Sequence, residues 1–291
     1  MDFNDLDVKE LDKDLSDNER EEWNAIYASY RSGSIMTDRI VGTDLTTVTV
    51  HNKETGEPEK MDVLCLVVIA YRVKILIPEQ EIWYSEKTSR PSHVIRSMSG
   101  AITDYVITAI DRENGCCIAS RRLALQIRRR AFEKLPPKED SKITINIMAV
   151  GAAHLLANFA GFDITLSQRD LSYGMLGDLR ETYHPGETYK AVYKSYDAEK
   201  ETLRFSVKET EPHPFEGAET RHPLGCRRAS TISGKYKGGV FCKLEENLDS
   251  LCTYSQYGTD ADFKVGDRVI VIITKYDYQR KLVYGKIVAK W

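Results

Sequence analysis

Apolar and polar residues alternate along much of the chain, and in three windows the alternation is framed in the same way. "GAITDYVITAID" (Gly100 to Asp111), "GETYKAVYKSYD" (Gly186 to Asp197) and "GDRVIVIITKYD" (Gly266 to Asp277) each set a Gly and an Asp eleven residues apart. One set of alternate positions in each window is largely apolar: Thr103, Tyr105 and Ile107; Tyr189, Ala191 and Tyr193; Val269, Val271 and Ile273. Period-two alternation in β-branched and aromatic types predicts a strand with one buried face. After each Asp come a short polar stretch and a second apolar run, "CCIAS", "LRFSV" or "LVYGKIV", which predicts a hairpin. The Asp is expected to cap the turn through its carboxylate. A catalytic role would need a His or a second acid at fixed spacing, and none accompanies it.

The copies match upstream as well. "ILIPEQEI" from Ile75 parallels "ITLSQRDL" from Ile164, and "LDSLCTYS" from Leu248 takes that place in the third copy. Before these stand "VLCLVVIAYRV", "KITINIMAVGAAHLLA" and "ASTISGKYKGGVFCKL", each a long strand or strand pair. Five strands in a unit of roughly 70 to 95 residues suit a small Greek-key barrel of the OB type, in which closure removes the sheet edges. The expected fold is therefore all-β with linker helices: three tandem five-stranded OB-fold barrels preceded by an N-terminal helix. The domain boundaries fall at 1–32 for the acidic helical segment, 33–135 for the first barrel with its linker helix, 141–215 for the second and 222–291 for the third.

Two stretches break the β pattern. "LSDNEREEWNAIYASYRSG" has Ser16 three positions before Glu19, a capping-box pattern, and ends on Gly33. Trp23, Ile26, Tyr27 and Tyr30 share one face of this helix, which either packs on the first barrel or docks on a partner. "RRLALQIRRRAFEKL", Arg121 to Leu135, predicts a second helix stopped by Pro136 and Pro137, with Leu125, Phe132 and Leu135 apolar. Its five arginines offer contacts to phosphate or a solvated face. "TEPHPFEGAETRHP" predicts a semi-stiff, extended second linker.

Charge changes the picture through its distribution. The chain carries a net −3, but residues 1–32 hold ten acidic and four basic side chains, whereas residues 221–291 hold seven acidic and thirteen basic. A basic end suggests a polyanionic partner or a solvated basic surface. Cys65, Cys116, Cys117, Cys226, Cys242 and Cys252 lack metal-ligand spacing or a disulfide framework, so reduced thiols, no metal and no cofactor are expected. With no apolar run near the roughly 20 residues that span a bilayer, and an acidic start in place of a secretory signal, the expected location is cytoplasmic, away from membranes. A paired acidic motif, a Gly-rich phosphate loop and a Cys/His dyad are all missing from the sequence, so an enzyme is not expected.

The ordered set "RSGSIMTDRIVGTD", "YRVKILIPEQEI", "YDAEKETLRFSVKETEPHPFEG", "GGVFCKLEENLDSLCTYS" and "FKVGDRVIVIITKYD" resembles the RNA-binding repeat of the large bacterial small-subunit ribosomal protein, the S-one motif, over about residues 33–291. The resemblance implies a non-catalytic protein that binds single-stranded RNA, mRNA above all, in translation or RNA handling. It also implies contacts to the ribosome or another protein through the N-terminal helix and repeats one and two. Stacking of bases on aromatic side chains and neutralisation of phosphates by cations would hold the strand. In the third copy, alternation puts Phe241 and Lys243 on one face and Val240, Cys242 and Leu244 on the other, with Arg227, Arg228, Lys235, Tyr236 and Lys237 nearby.

By resemblance, Phe241 takes the family's base-stacking position. The family's other aromatic and its third-strand His fall here on Gly238 and Thr253, so Tyr236 or Tyr254 would substitute. Phe241 as a core residue remains the alternative. In the second copy Ala153 and His154 stand where the aromatic is expected, His154 reading as a surface residue. The first copy offers Tyr71, Arg72 and Lys74. The expected division is docking by repeats one and two and RNA binding by repeat three. A protein-interaction scaffold with degenerate OB domains, serving a mobile element or a regulatory complex, is the competing reading.

Overall fold

The structure, a computed structural model, describes residues 17–290 other than 52–57, 113, 175, 200, 237–238, 246–247 and 255–258. Ser16, and with it half of the expected capping box, lies outside the described residues. The first domain opens with helix α1 (Asp17–Ser32), followed by strands β1 (Met36–His51), β2 (Pro58–Ala70), β3 (Val73–Pro78), β4 (Ile102–Asp111) and β5 (Cys116–Ser120). The sheet order β1-β2-β3-β5-β4 closes into a barrel through a parallel β3/β5 pair. Helix α2 (Arg121–Lys134) leads to β6 (Lys142–Val150), β7 (His154–Phe159), β8 (Phe162–Ser167), β9 (Thr188–Asp197) and β10 (Thr202–Ser206). The last five strands are β11 (Arg227–Tyr236), β12 (Gly239–Glu245), β13 (Leu248–Tyr254), β14 (Arg268–Asp277) and β15 (Leu282–Lys290), again a closed barrel, with β13 and β15 parallel.

The middle domain differs from the expected barrel. Its order β10-β9-β6-β7-β8 leaves β8 and β10 unpaired with each other, and their ends meet instead at a hydrogen bond from Val207 N–H to Asp170 C=O of 2.8 Å.

The repeated Gly has one job in all three copies. Gly100, Gly186 and Gly266 sit at φ of 91, 89 and 94° and donate their N–H to Ile40, Ile147 and Ile232 at 2.8, 2.9 and 2.8 Å. The N–H of each Ile returns the bond to the residue after the Gly. Immediately beyond each Ile the pairing of the first strand with the second slips, at Ile40/Gly42, Ile147/Ala149 and Ile232/Gly234. Such a bulge bends the strand, so the Ile is where each first strand turns from one neighbour to the other. The Asp residues cap as expected: Asp111, Asp197 and Asp277 accept from Asn114, Glu199 and Arg280 backbone N–H at 3.1, 3.1 and 2.9 Å. Inward-facing Thr103, Tyr105, Ile107, Ala191, Tyr193, Val269, Val271 and Ile273 are buried.

The helices are structural. Ile26 of α1 is wholly buried in the first core with Trp23 packed beside it, and Ser29 Oγ accepts from Ile107 N–H at 3.3 Å. On α2, capped by Ser120 Oγ on Leu123 N–H, Leu125 and Phe132 are buried, whereas Leu135 is exposed. Four of its five arginines bind protein, and Arg130 is exposed. Arg121 reaches into the junction of the first two domains, donating to Thr103 Oγ1, Ile82 O and, through both terminal nitrogens at 2.7 Å, Asp163 of β8. Arg129 donates to Gly161 O at 3.0 Å and lies over the rings of Tyr84 and Phe162, while Arg122 and Arg128 pair with Glu81 and Asp104.

Met148, Ala149 and Leu156 of the second sheet belong to the first domain's core cluster, so the two domains share one interior. Two backbone approaches seal it. A Cβ on Gly161 would stand 2.4 Å from Leu125 O, and one on Gly186 would stand 2.2 Å from Gly100 O. The second linker is folded rather than extended: Phe215 and Ala218 enter the third core, and Arg221 and His222 bind Glu245 of β12.

Burial alone would raise the Asp163 carboxyl, but the Arg121 charge and hydrogen bonds, with help from Asn158, hold it below the usual carboxylate range. Asp163→Asn should therefore cost about 3 to 5 kcal/mol, because a buried guanidinium loses its counter-charge. Calorimetric melting checks the loss. Since Asp163 titrates lower folded than unfolded, the pair's contribution is intact above the ordinary carboxylate pKa of about 3.9 and fades as pH falls below it. Melting temperatures recorded from about pH 7 down to pH 3 should show a shallower acid fall in Asp163→Asn than in the wild type.

Candidate nucleic-acid interface

Strand register decides which residues are equivalent on the outer faces. Counting from the bulge, Phe241 pairs with Gly234, Val67 with Gly42 and Leu156 with Ala149. The three occupy one position. The place expected for an aromatic in the second copy is therefore Leu156, and Ala153 and His154 lie at the exposed start of β7 and in the turn before it. Leu156 is buried under the first domain, beside a cleft lined by Pro91, Val94 and Ser97. Val67 joins Val63, Cys65 and Leu76 in a small buried apolar cluster. Of the three, Phe241 alone is aromatic.

Phe241 is half-buried on the outward face of β12, with Val240 and Cys242 buried behind it, so it is not part of the barrel interior. The Tyr236 ring, 51% exposed, stacks on it with centroids 5.4 Å apart and planes at 27°. Across the strands Phe241 pairs with Leu251, and Leu251 pairs with Tyr284 of β15. Lys275 lies over the Tyr284 ring at 6.0 Å. A second row runs from Thr253 to Lys286, then Ile272, then Arg227. Lys243 and Arg227 are exposed.

Other residues singled out from the sequence have protein partners. Lys235 Nζ donates to Asp260 O and Phe263 O at 2.6 and 2.8 Å, which ties β11 to the turn before β14. Arg228 donates to His222 Nδ1 and Arg221 O, within a network that Glu245 completes. The Tyr254 hydroxyl donates to Asp260 and its ring stacks on Phe263 at 5.1 Å. Burial and this acid together push its hydroxyl upward. Lys237 lies outside the described residues. In the first domain Lys74 pairs with Asp44 at 2.6 Å, and Tyr71 stands exposed in the β2/β3 turn.

Tyr284, Lys275 and Lys286 are the residues that sequence reasoning passed over. Alternation in "LVYGKIV" already sets Tyr284 and Lys286 opposite Val283, Gly285 and Ile287. What brings them beside Phe241 is the parallel β13/β15 pair, a long-range contact without a local pattern. Cys242 and Cys252 lie buried on the opposite, interior face, and the hydrogen bond with Cys252 and then burial push the Cys242 thiol up.

No protein-family model matches the chain. Among curated proteins it is 22% identical over 193 residues to small ribosomal subunit protein bS1 of Coxiella burnetii, covering 62% of this chain and 34% of that protein. It is 22% identical over 178 residues to bS1 of Rhodopseudomonas palustris, covering 59% and 31%. The 4-hydroxy-3-methylbut-2-enyl diphosphate reductase of Clostridium acetobutylicum is 24% identical over 208 residues, covering 68% of this chain and 31% of the reductase. A solved multidomain protein with nucleic acid binding domains from Streptococcus pneumoniae covers 88% of this chain and 73% of its own, at 9% identity and a TM-score of 0.21. The chain spans about a third of the length of these curated relatives. Matches to bS1 proteins recur at 21 to 22% identity over 59 to 62% of the chain, and its sequence is accordingly S1-like.

Proposed function

We propose that the protein is a non-catalytic binder of single-stranded RNA, mRNA in particular, acting in translation or RNA handling, with the outer face of the third barrel as its main site. The observation that carries this reading is the Tyr236 and Phe241 stack on an outer face that also holds Tyr284, Lys243, Lys275 and Lys286. Aromatic rings give bases a stacking surface regardless of sequence, and lysines answer the phosphates. The likeness to bS1 proteins supports the same reading. The first two domains take the docking role, toward a ribosome or another protein. Their equivalents of Phe241 are aliphatic, and Leu156 is already covered.

Fluorescence anisotropy of a labelled, unstructured RNA of about 12 nucleotides with the full-length protein tests the proposal. Binding should weaken steeply with added salt, because each neutralised phosphate releases counterions. Phe241→Ala should cost about 1 to 3 kcal/mol, the worth of one stacked base. Lys243→Gln should lower the slope of log affinity against log salt by about 1 while leaving sequence preference unchanged. Undiminished affinity in Phe241→Ala would remove the third barrel's face from consideration.

A further inference from the structure

Phe241 has a second neighbourhood. Besides its own barrel face it lines a groove of about 280 Å³ between the second and third domains. Arg169 of the helical turn after β8 and Tyr173 just beyond it line the groove from the second domain, Arg280 and Lys281 of the β14/β15 turn line it from the third, and His213 of the linker lies against Tyr173. The Tyr173 and His213 rings are 4.3 Å apart, and Lys208 Nζ stands over Tyr173 at 5.2 Å. His213 is fixed by the second linker: its Nδ1 accepts the Phe215 N–H at 3.1 Å, and Phe215 is anchored in the third core. Burial first, then the charges of Lys281 and Lys208, hold the imidazole below its ordinary pKa against the opposing pull of Glu216. The groove thus gathers aromatic rings and cations from both domains. Asp249 is the acid among its lining residues, and its carboxylate already accepts from Ser233 Oγ.

Building on the RNA-binding reading above, we infer that this groove is part of the interface: a nucleotide next to the one on Phe241 sits there, its base against Tyr173 and its phosphate against Arg169 and Arg280. Two features favour a nucleic acid over an apolar ligand. Arg169, Arg280 and Lys281 are exposed, and hydrogen bonds and ion pairs of the protein do not occupy their side chains among the described contacts. The rings lie within the same enclosure as these cations, which is the combination that holds a single strand. The left-handed backbone at Lys281, φ 51°, is a property of the hairpin, since Gly115 and Glu201 share it at the same place in the other two copies. The site is therefore composite. The third barrel supplies Phe241, and the second domain sets the path that the strand takes away from it.

The full-length protein, the same labelled RNA and the variants Tyr173→Ala, Tyr173→Phe, Arg169→Gln and Arg280→Gln test this, with melting curves to show that each variant is folded. Tyr173→Ala should weaken binding by about 5- to 100-fold, and Tyr173→Phe should stay within about twofold of the wild type, because the ring is what stacks. Arg169→Gln and Arg280→Gln should each reduce the salt slope by about 1. Arg169 is exposed, so its variant reads binding even if Tyr173→Ala fails to fold. Wild-type binding that Phe241→Ala weakens while Tyr173→Ala and Arg169→Gln leave it intact overturns the groove and leaves the third-barrel site standing. Absence of binding by the wild type overturns both.

Discussion

Arg121 and Asp163 form an ion pair with side chains only 1% and 7% exposed, and the arrangement of the first two domains depends on it. Taking a guanidinium and a carboxylate out of water costs several kcal/mol per ion, and their attraction offsets this only where geometry and hydrogen bonding are complete. Here they are close to complete. Arg121 uses four of its five N–H donors, on Thr103, Ile82 and both oxygens of Asp163, and Asn158 adds a bond to the acid. Groups from β4, from the turn after β3 and from β8 must all be in place at once. A pair with such demands tolerates one relative placement of the domains, so it contributes geometry more than stability.

That placement explains why the middle sheet can stay open. A small sheet closes to remove its edges and to exclude water from its interior. In the second domain part of that exclusion comes from α2: Phe132 packs into its core and Arg129 covers Phe162. A parallel β8/β10 seam is then dispensable, and one backbone bond beyond the strand ends suffices. The first domain covers Leu156 on the outer face of the second sheet, while Thr144, Thr165 and Lys190 on that face remain exposed.

Features set by local chemistry were legible in the sequence. The eleven-residue interval from Gly to Asp marks a strand bounded by a left-handed Gly and an Asp-capped turn, and both devices operate within a few residues of themselves. Alternation named eight of the eleven buried side chains of β4, β9 and β14; it missed Val106, Val192 and Tyr276, and Tyr189, which it also named, is half-buried. Three things were not legible. Helical periodicity cannot tell an arginine that is solvated from one that pairs in a buried junction, so Arg121 and Arg129 looked like surface. The place of the aromatic on β7 is fixed by its pairing with Ala149 just past the bulge, a cross-strand register with no local pattern, so the expected place fell on Ala153 and His154 instead of Leu156. Prolines near 212 and 214 suggested an extended linker, whereas Phe215 is apolar enough to fold that linker onto the third barrel.

One register position, held by Val67, Leu156 and Phe241, therefore has three fates. The residue there must suit what meets it. An aliphatic side chain can be buried under another domain with no polar group to satisfy, as Leu156 is. A ring bordered by lysines could not be covered by an apolar surface without stripping water from those charges, at a cost that apolar contact would not offset. The third barrel escapes this conflict because of how it is attached. Its linker enters through Phe215, Ala218 and the His222 and Glu245 contact, which spend Arg228 on structure, while Phe241 and Tyr284 stay half-buried and Lys243 exposed on the outer face. Which outer face a barrel keeps is decided by the contacts through which it is joined to its neighbours, and only afterwards by the residues that line it.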